Sequence, residues 1–174
     1  MKHLPKLLIL LLIMSCAPVH VSYDYEKSTN FENYKTYNYY TDLNTGLSEL
    51  DTKRLVDVLN QAMQSRGYSL SETPNFIIDI KSSEFQEQPN NNVAVGLGGT
   101  GRNVGGGISI GLPIGQSQMQ REIVFDFIDD SSVGLFWQAI AVADYRENWS
   151  PEKREAHFKT VVDKVLEGFP PETK

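Results

Sequence analysis

Beyond residue 30 the spacing of apolar and polar positions changes period several times, and each change marks an element. Residues 33–40 (NYKTYNYY) are rich in tyrosine and threonine and predict a β-strand. Leu55, Val58, Leu59, Ala62 and Met63 then recur at helical spacing, with Asp57, Asn60, Gln61 and Gln64 elsewhere on the wheel. Ser48 heads this helix, because its hydroxyl can accept a bond from an early amide in Ser48-Glu49-Leu50-Asp51. Gly67 ends it, as a residue that takes the left-handed conformation cheaply. Period two returns at 68–70 and 76–80, separated by a turn at 71–75. Phe76, Ile78 and Ile80 share one face, Ile77 and Asp79 the other, and the strand runs on towards Glu87.

Residues 121–128 (REIVFDFI) place Ile123, Phe125 and Phe127 on one face of a strong strand. A turn at 129–132 joins it to a further strand, 134–143 (GLFWQAIAVA), as an antiparallel hairpin. Ser150-Pro151 opens a last helix whose stripe is Phe158, Val161, Val162, Val165 and Leu166. Gly168 and Pro170-Pro171 stop it. Between the strands, residues 96–115 hold nine of the chain's 13 glycines. A glycine-rich hairpin is expected at 93–115, with weak strands at 93–97 and 108–112 and a tip around 100–106. Residues 16–30 are mixed and polar and read as a tether. The order strand, helix, several strands, helix predicts an α+β fold over 31–174: a two-layer domain, a mostly antiparallel sheet with two helices packed on one face.

Composition changes this picture little. The 174 residues are 40% hydrophobic and 22% charged, which is one ordinary globular domain. A formal net charge of −6 argues against nucleic-acid binding, where neutralising phosphate supplies much of the affinity.

The first residues carry more. Lys2 and Lys6 precede an eight-residue apolar run at 7–14 (LLILLLIM), far short of the ~20 residues that span a bilayer and suited to the core of a signal peptide. The run ends in Ile13-Met14-Ser15-Cys16, and Cys16 is the chain's one cysteine. This resembles the bacterial lipobox, with Met14 and Ile13 as less usual residues. The resemblance implies a lipoprotein signal peptide over 1–15, cleavage between Ser15 and Cys16, and acylation of Cys16, palmitate included. Losing Lys2 and Lys6 with the leader takes the formal charge from −6 to −8, so acyl chains rather than basic charge would hold the chain to lipid. Ala17 resembles the residue of outer-membrane sorting, and no acidic cluster of the kind that resembles a surface-export signal follows Cys16, so a periplasm-facing protein is expected.

Motifs for chemistry are sparse. Residues 96–101 (GLGGTG) match G-x-G-x-x-G, but they run into more glycine and strand rather than into the helix that a pyrophosphate needs. Gly107, Gly111 and Gly115 have zipper spacing, yet Pro113 and the nearby Arg102 argue against a helix there. His3, His20 and His157 offer no ligand spacing, so no metal and no cofactor is expected. Carboxylates are the remaining resource, with Asp126, Asp129 and Asp130 close in sequence and Asp79 and Asp144 elsewhere. No catalytic residue is assigned, and a non-enzymatic role is expected. The tyrosines of 33–40 are read as packing rather than as a sugar- or lipid-stacking face.

Several short motifs succeed one another in a familiar order. They are the tyrosine strand led by Phe31, Arg66-Gly67-Tyr68, Pro74-Asn75-Phe76, Phe125-Asp126-Phe127-Ile128-Asp129, Leu135-Phe136-Trp137-Gln138-Ala139 and Phe169-Pro170-Pro171. Together they resemble the bacterial lipoproteins grouped as domain of unknown function 4136. Asn75 stands where that family commonly has Asp, and Gln138 where it commonly has Arg. The resemblance implies a lipid-anchored envelope protein and nothing about a reaction. Cys16, the lack of a catalytic constellation and the glycine-rich hairpin lead to the expectation of a non-enzymatic accessory or binding subunit with an envelope protein as partner. The alternatives are a carrier of a small apolar or lipidic ligand between sheet and helices, and a hydrolase using Asp126 and a neighbouring acid.

Overall fold

The structure, a computed structural model, describes residues 19–87, 92–94, 111–113, 118–131 and 134–172. In chain order the elements are β1 (His20–Tyr25), a 3-10 turn (Phe31–Asn33), β2 (Thr36–Tyr39), α1 (Glu49–Ser65), β3 (Ser69–Leu70), β4 (Phe76–Glu87), β5 (Asn92–Ala94), β6 (Gly111–Pro113), β7 (Gln118–Asp129), β8 (Gly134–Asp144) and α2 (Pro151–Leu166). Six strands form one sheet in the order β1-β8-β7-β4-β2-β3, and β5 pairs with β6 in a separate two-stranded ladder. The large sheet is antiparallel from β1 through β4, while β2 runs parallel to β3 and β4. Both helices cover one face, so the fold is the two-layer α+β domain that the periodicity predicts.

The inner face alternates as pleating requires. Ile78, Phe127 and Trp137 form one fully buried cross-strand row, and Ile80, Phe125 and Ala139 the next. Burying each such large side chain stabilises by about 1.5–3 kcal/mol. Along β8 the inner residues shrink to Ala139, Ala141 and Ala143, leaving room for the buried stripe of α2, Phe158, Val161, Val162 and Val165. Beyond α2, Phe169 enters the same core, and the Trp137 indole donates to the Gly168 carbonyl at 3.1 Å.

The caps are those that the sequence indicates. Ser48 Oγ accepts from the Asp51 amide at 3.2 Å, and Ser150 Oγ accepts from that of Lys153 at 3.4 Å. Gly67 takes φ +87° just past α1. Gly46, at φ +73°, lies where a Cβ would come within 2.8 Å of the Ser82 carbonyl, beside the bond from the Ser82 amide to the Thr45 carbonyl.

Three differences from the expectation stand out. Residues 20–25 are not tether but an edge strand, antiparallel to β8 along its whole length. The tyrosine segment is a strand only over Thr36–Tyr39, because residues 31–33 make a 3-10 turn capped by Asn30. Of the glycine-rich hairpin, Asn92–Ala94 pair with Gly111–Pro113, and the rest of its predicted strands and its tip lie outside the described residues. β7 and β8 extend past their expected ends.

Asn75 shows why the Pro74-Asn75-Phe76 motif matters. Its Oδ1 accepts from the Lys35 amide, the Thr36 amide and the Thr36 hydroxyl at 2.9–3.0 Å, fastening the start of β2 to the start of β4. Only an acceptor is used, so an aspartate serves equally well. Asn75→Asp is therefore expected to keep the urea midpoint within error, whereas Asn75→Ala loses about 1–2 kcal/mol. Equal losses for both would contradict this role.

Candidate functional site

Ser15 and Cys16, the residues assigned to cleavage and lipidation, lie outside the described residues. The carboxylates that cluster in the sequence separate in space. Asp129 is buried beneath Tyr34, whose hydroxyl donates to it at 3.0 Å, and it also accepts from the Ser131 amide and hydroxyl at 3.0 and 2.7 Å. Burial, followed by the bond to Asp129 and its charge, pushes the Tyr34 phenol up to about 12. Asp130 sits under the Tyr40 hydroxyl at 3.4 Å. These acids serve a turn.

Asp126 instead faces Asp79 directly across β4 and β7 on the sheet face away from the helices. Each carboxylate has its own partner. Gln138 Nε2 donates to Asp126 at 2.6 Å, and Lys81 Nζ pairs with Asp79 at 2.8 Å. That bond, then the charge of Asp79, raises the Lys81 pKa. Half-buried Ile77, Val124, Ile128 and Ile140 share this face of the sheet. Neither acid lines any of four cavities on the surface. One of these is a groove of about 460 Å³ between α1 and α2, lined by Ala62, Arg66, Glu155, Ala156, Lys159 and Asp163 among others.

The tyrosines pack rather than present a stacking face. Tyr37 is fully buried, and the Tyr37 and Tyr39 hydroxyls both donate to Asn60 Oδ1, at 3.0 and 2.8 Å. Burial pushes the Tyr37 phenol up to about 12.

The most concentrated electrostatics occur where no motif pointed. Asp51, 2% exposed, lies in the first turn of α1. Its oxygens take Arg54 at 2.7 Å and Arg154 of α2 at 2.6 Å. Arg154 also donates to the Trp149 carbonyl at 3.2 Å, to the Glu147 carbonyl, and to the Tyr145 hydroxyl at 3.4 Å. On the other side of Tyr145, the guanidinium of buried Arg121 lies 3.5 Å from the ring centroid and pairs with Glu84. Arg121 Nε has no hydrogen-bond partner among the described residues. The network joins both helices to β4 and β7, so it fixes the helical layer on the sheet. No spacing signal exists for it, since its members come from five separate places in the chain.

His157 flanks the same end, against Trp149 at 4.9 Å and Phe158 at 6.1 Å between ring centroids. Burial, then the Arg121 charge, lowers its pKa to about 4, with Lys153 adding to the shift and Asp144 opposing it. His20, expected in the tether, lies on β1, far from it in sequence and on the opposite sheet face. Among the described residues no group of three or more His, Cys, Asp or Glu side chains is placed to hold a metal ion. No described helix is long and apolar enough to cross a membrane.

A two-layer sheet-and-helix domain with a buried ionic bracket is the class that this geometry defines. Residues 21–171 match the model of a domain of unknown function, DUF4136, and the chain belongs to that family. Among curated proteins none matches the sequence. Among the solved structures that share the fold are two of low sequence identity. One is a PDZ domain protein from Parabacteroides distasonis, with a TM-score of 0.56 and 10% identity, covering 99% of this chain and 41% of that one. This chain therefore spans about two fifths of that protein. The other is the PelC dodecamer from Paraburkholderia phytofirmans, with a TM-score of 0.51 and 10% identity, covering 89% of this chain and 99% of that one. Within the matched span, Asn75 acts as a strand latch and Gln138 as the donor that holds Asp126.

Two measurements test these assignments. Asp51→Asn leaves Arg54 and Arg154 against a neutral amide, and is expected to lower stability to urea by about 3 kcal/mol. For His157 the folded pKa lies below the ordinary 6.5, so the unfolded chain binds the extra proton between about 4 and 6.5. Stability therefore falls as pH drops through that window and levels off below it. His157→Phe is expected to flatten the fall relative to wild type in thermal unfolding at pH 7 and 4.5, and parallel curves would remove the assignment.

Proposed function

We propose that this chain is a lipid-anchored protein of the cell envelope, held by acylated Cys16 at the outer membrane, facing the periplasm, with an accessory or binding role rather than a reaction. The observation that carries this reading is the leader itself: Lys2 and Lys6, eight apolar residues, and Ser15-Cys16 with the chain's one cysteine. Each buried methylene of an acyl chain contributes about 0.8 kcal/mol, so two or three chains anchor stably.

The domain adds a constraint. β1 begins at His20, four residues after Cys16. Four extended residues reach at most ~14 Å. An anchored Cys16 thus holds the sheet close against the leaflet rather than on a long leash.

Two features support a binding role over the alternatives. Aromatic and aliphatic side chains fill the space between sheet and helices, where a carrier would need a cavity. Asp79 and Asp126 are tied to Lys81 and Gln138 on an open face, where a hydrolase would need a cleft. Fractionation of the host expressing Cys16→Ser tests the anchor. The wild-type chain is expected in the membrane fraction, released by detergent and heavier than its polypeptide by its acyl groups. The variant is expected to lose the acyl mass and to stop being cleaved after Ser15, and a variant processed and retained like the wild type would overturn the reading.

A further inference from the structure

The sheet ends on unequal edges. β3, at one end, is two residues long, too short to template a partner. β1, at the other, is six residues long, contains no proline and no lysine, and pairs on one side with β8 and with no strand on its other side among the described residues. It is also rigidly placed. The Tyr23 hydroxyl donates to the Lys164 carbonyl at 2.6 Å, and its ring lies so close to Gly168 that an added Cβ would meet it at 2.5 Å.

Hydrogen-bond parity says which backbone groups face outward. The Glu26 amide bonds to the Phe136 carbonyl at 3.0 Å in register with the β1–β8 ladder, so even-numbered residues of β1 bond inward. The amides and carbonyls of Val21, Tyr23 and Tyr25 therefore point to the free edge. The Tyr25 amide is already taken by the Asp24 side chain at 2.9 Å. The free amides narrow to Val21 and Tyr23.

We propose that this edge pairs with the β1 edge of a second copy of the chain, antiparallel about a two-fold axis through Ser22. A two-fold axis normal to the sheet keeps each face on its own side. Centred on Ser22, it sets Val21 opposite Tyr23 twice, which uses the free amides and carbonyls and makes four backbone hydrogen bonds. It also sets His20 opposite Asp24 twice, an imidazole against a carboxylate, both on the exposed face of β1. Moving the axis one residue to Tyr23 would need the occupied Tyr25 amide and would set Ser22 against Asp24. The two sheets become one continuous sheet with helices on the same side. Because the patch pairs with itself, the assembly closes as a dimer rather than growing.

Ser22 opposite Ser22 is a non-hydrogen-bonded pair, where antiparallel Cα atoms approach to about 4.5 Å, within disulfide reach. The test is oxidation of the full chain carrying Ser22→Cys, with the linkage located by peptide mass spectrometry so that a Cys16 bridge is told apart. A 22–22 linked dimer is expected. Adding His20→Glu places two acids opposite each other and is expected to reduce its yield about tenfold. Further adding Asp24→Lys is expected to restore it. Absence of the 22–22 bridge in a chain whose far-ultraviolet circular dichroism matches wild type would overturn the proposal. So would a yield indifferent to His20→Glu, or a failure of Asp24→Lys to rescue.

Discussion

Phe169 is the point at which distant parts of the chain are forced to meet. Its ring lies 4.7 Å from Phe127, 5.1 Å from Trp137, 5.4 Å from Tyr68 and 6.1 Å from Phe31, so β7, β8, the end of α1 and the first turn all press on one C-terminal side chain. Around it Phe76 lies 5.1 Å from Phe127, and Tyr34 stacks on Phe136 at 4.1 Å. Aromatic contacts at such separations add to the burial of area. The helical layer is held at this end by rings. At the other end it is held by charge, through Asp51, Arg154, Tyr145 and Arg121.

Those two fastenings were not equally open to a reader of the sequence. The aromatic end lies on strands and a helix whose inner faces follow periods of 2 and 3.6, so spacing alone assigns Ile123, Phe125, Phe127 and the stripe of α2 to the core. The charged end obeys no period. Asp51 looks like a cap residue of α1, and nothing in its spacing announces that an arginine 103 residues later will share its carboxylate. Burial of a carboxylate between two guanidinium groups is a tertiary event, visible only once both helices lie on the sheet.

β1 is a different kind of omission. Val19, Val21, Tyr23 and Tyr25 alternate with His20, Ser22 and Asp24, which is a plain strand pattern. An edge strand buries little on either side, so its average polarity resembles that of a linker. Geometry also accounts for two polar side chains: at position 75 only an acceptor is needed, and at 138 only a donor to Asp126.

The direction in which the strands run has one more effect. His20 pairs with Val142, and Val142 with Glu122, so the chain enters β1 from the side of the sheet where β4 finishes at Glu87 and β7 starts at Gln118. β1 thus begins at the same rim of the molecule at which β4 ends and β7 starts. With Cys16 embedded as proposed, that rim would lie towards the lipid headgroups, and the rings around Phe169 would form the pole turned away from the bilayer.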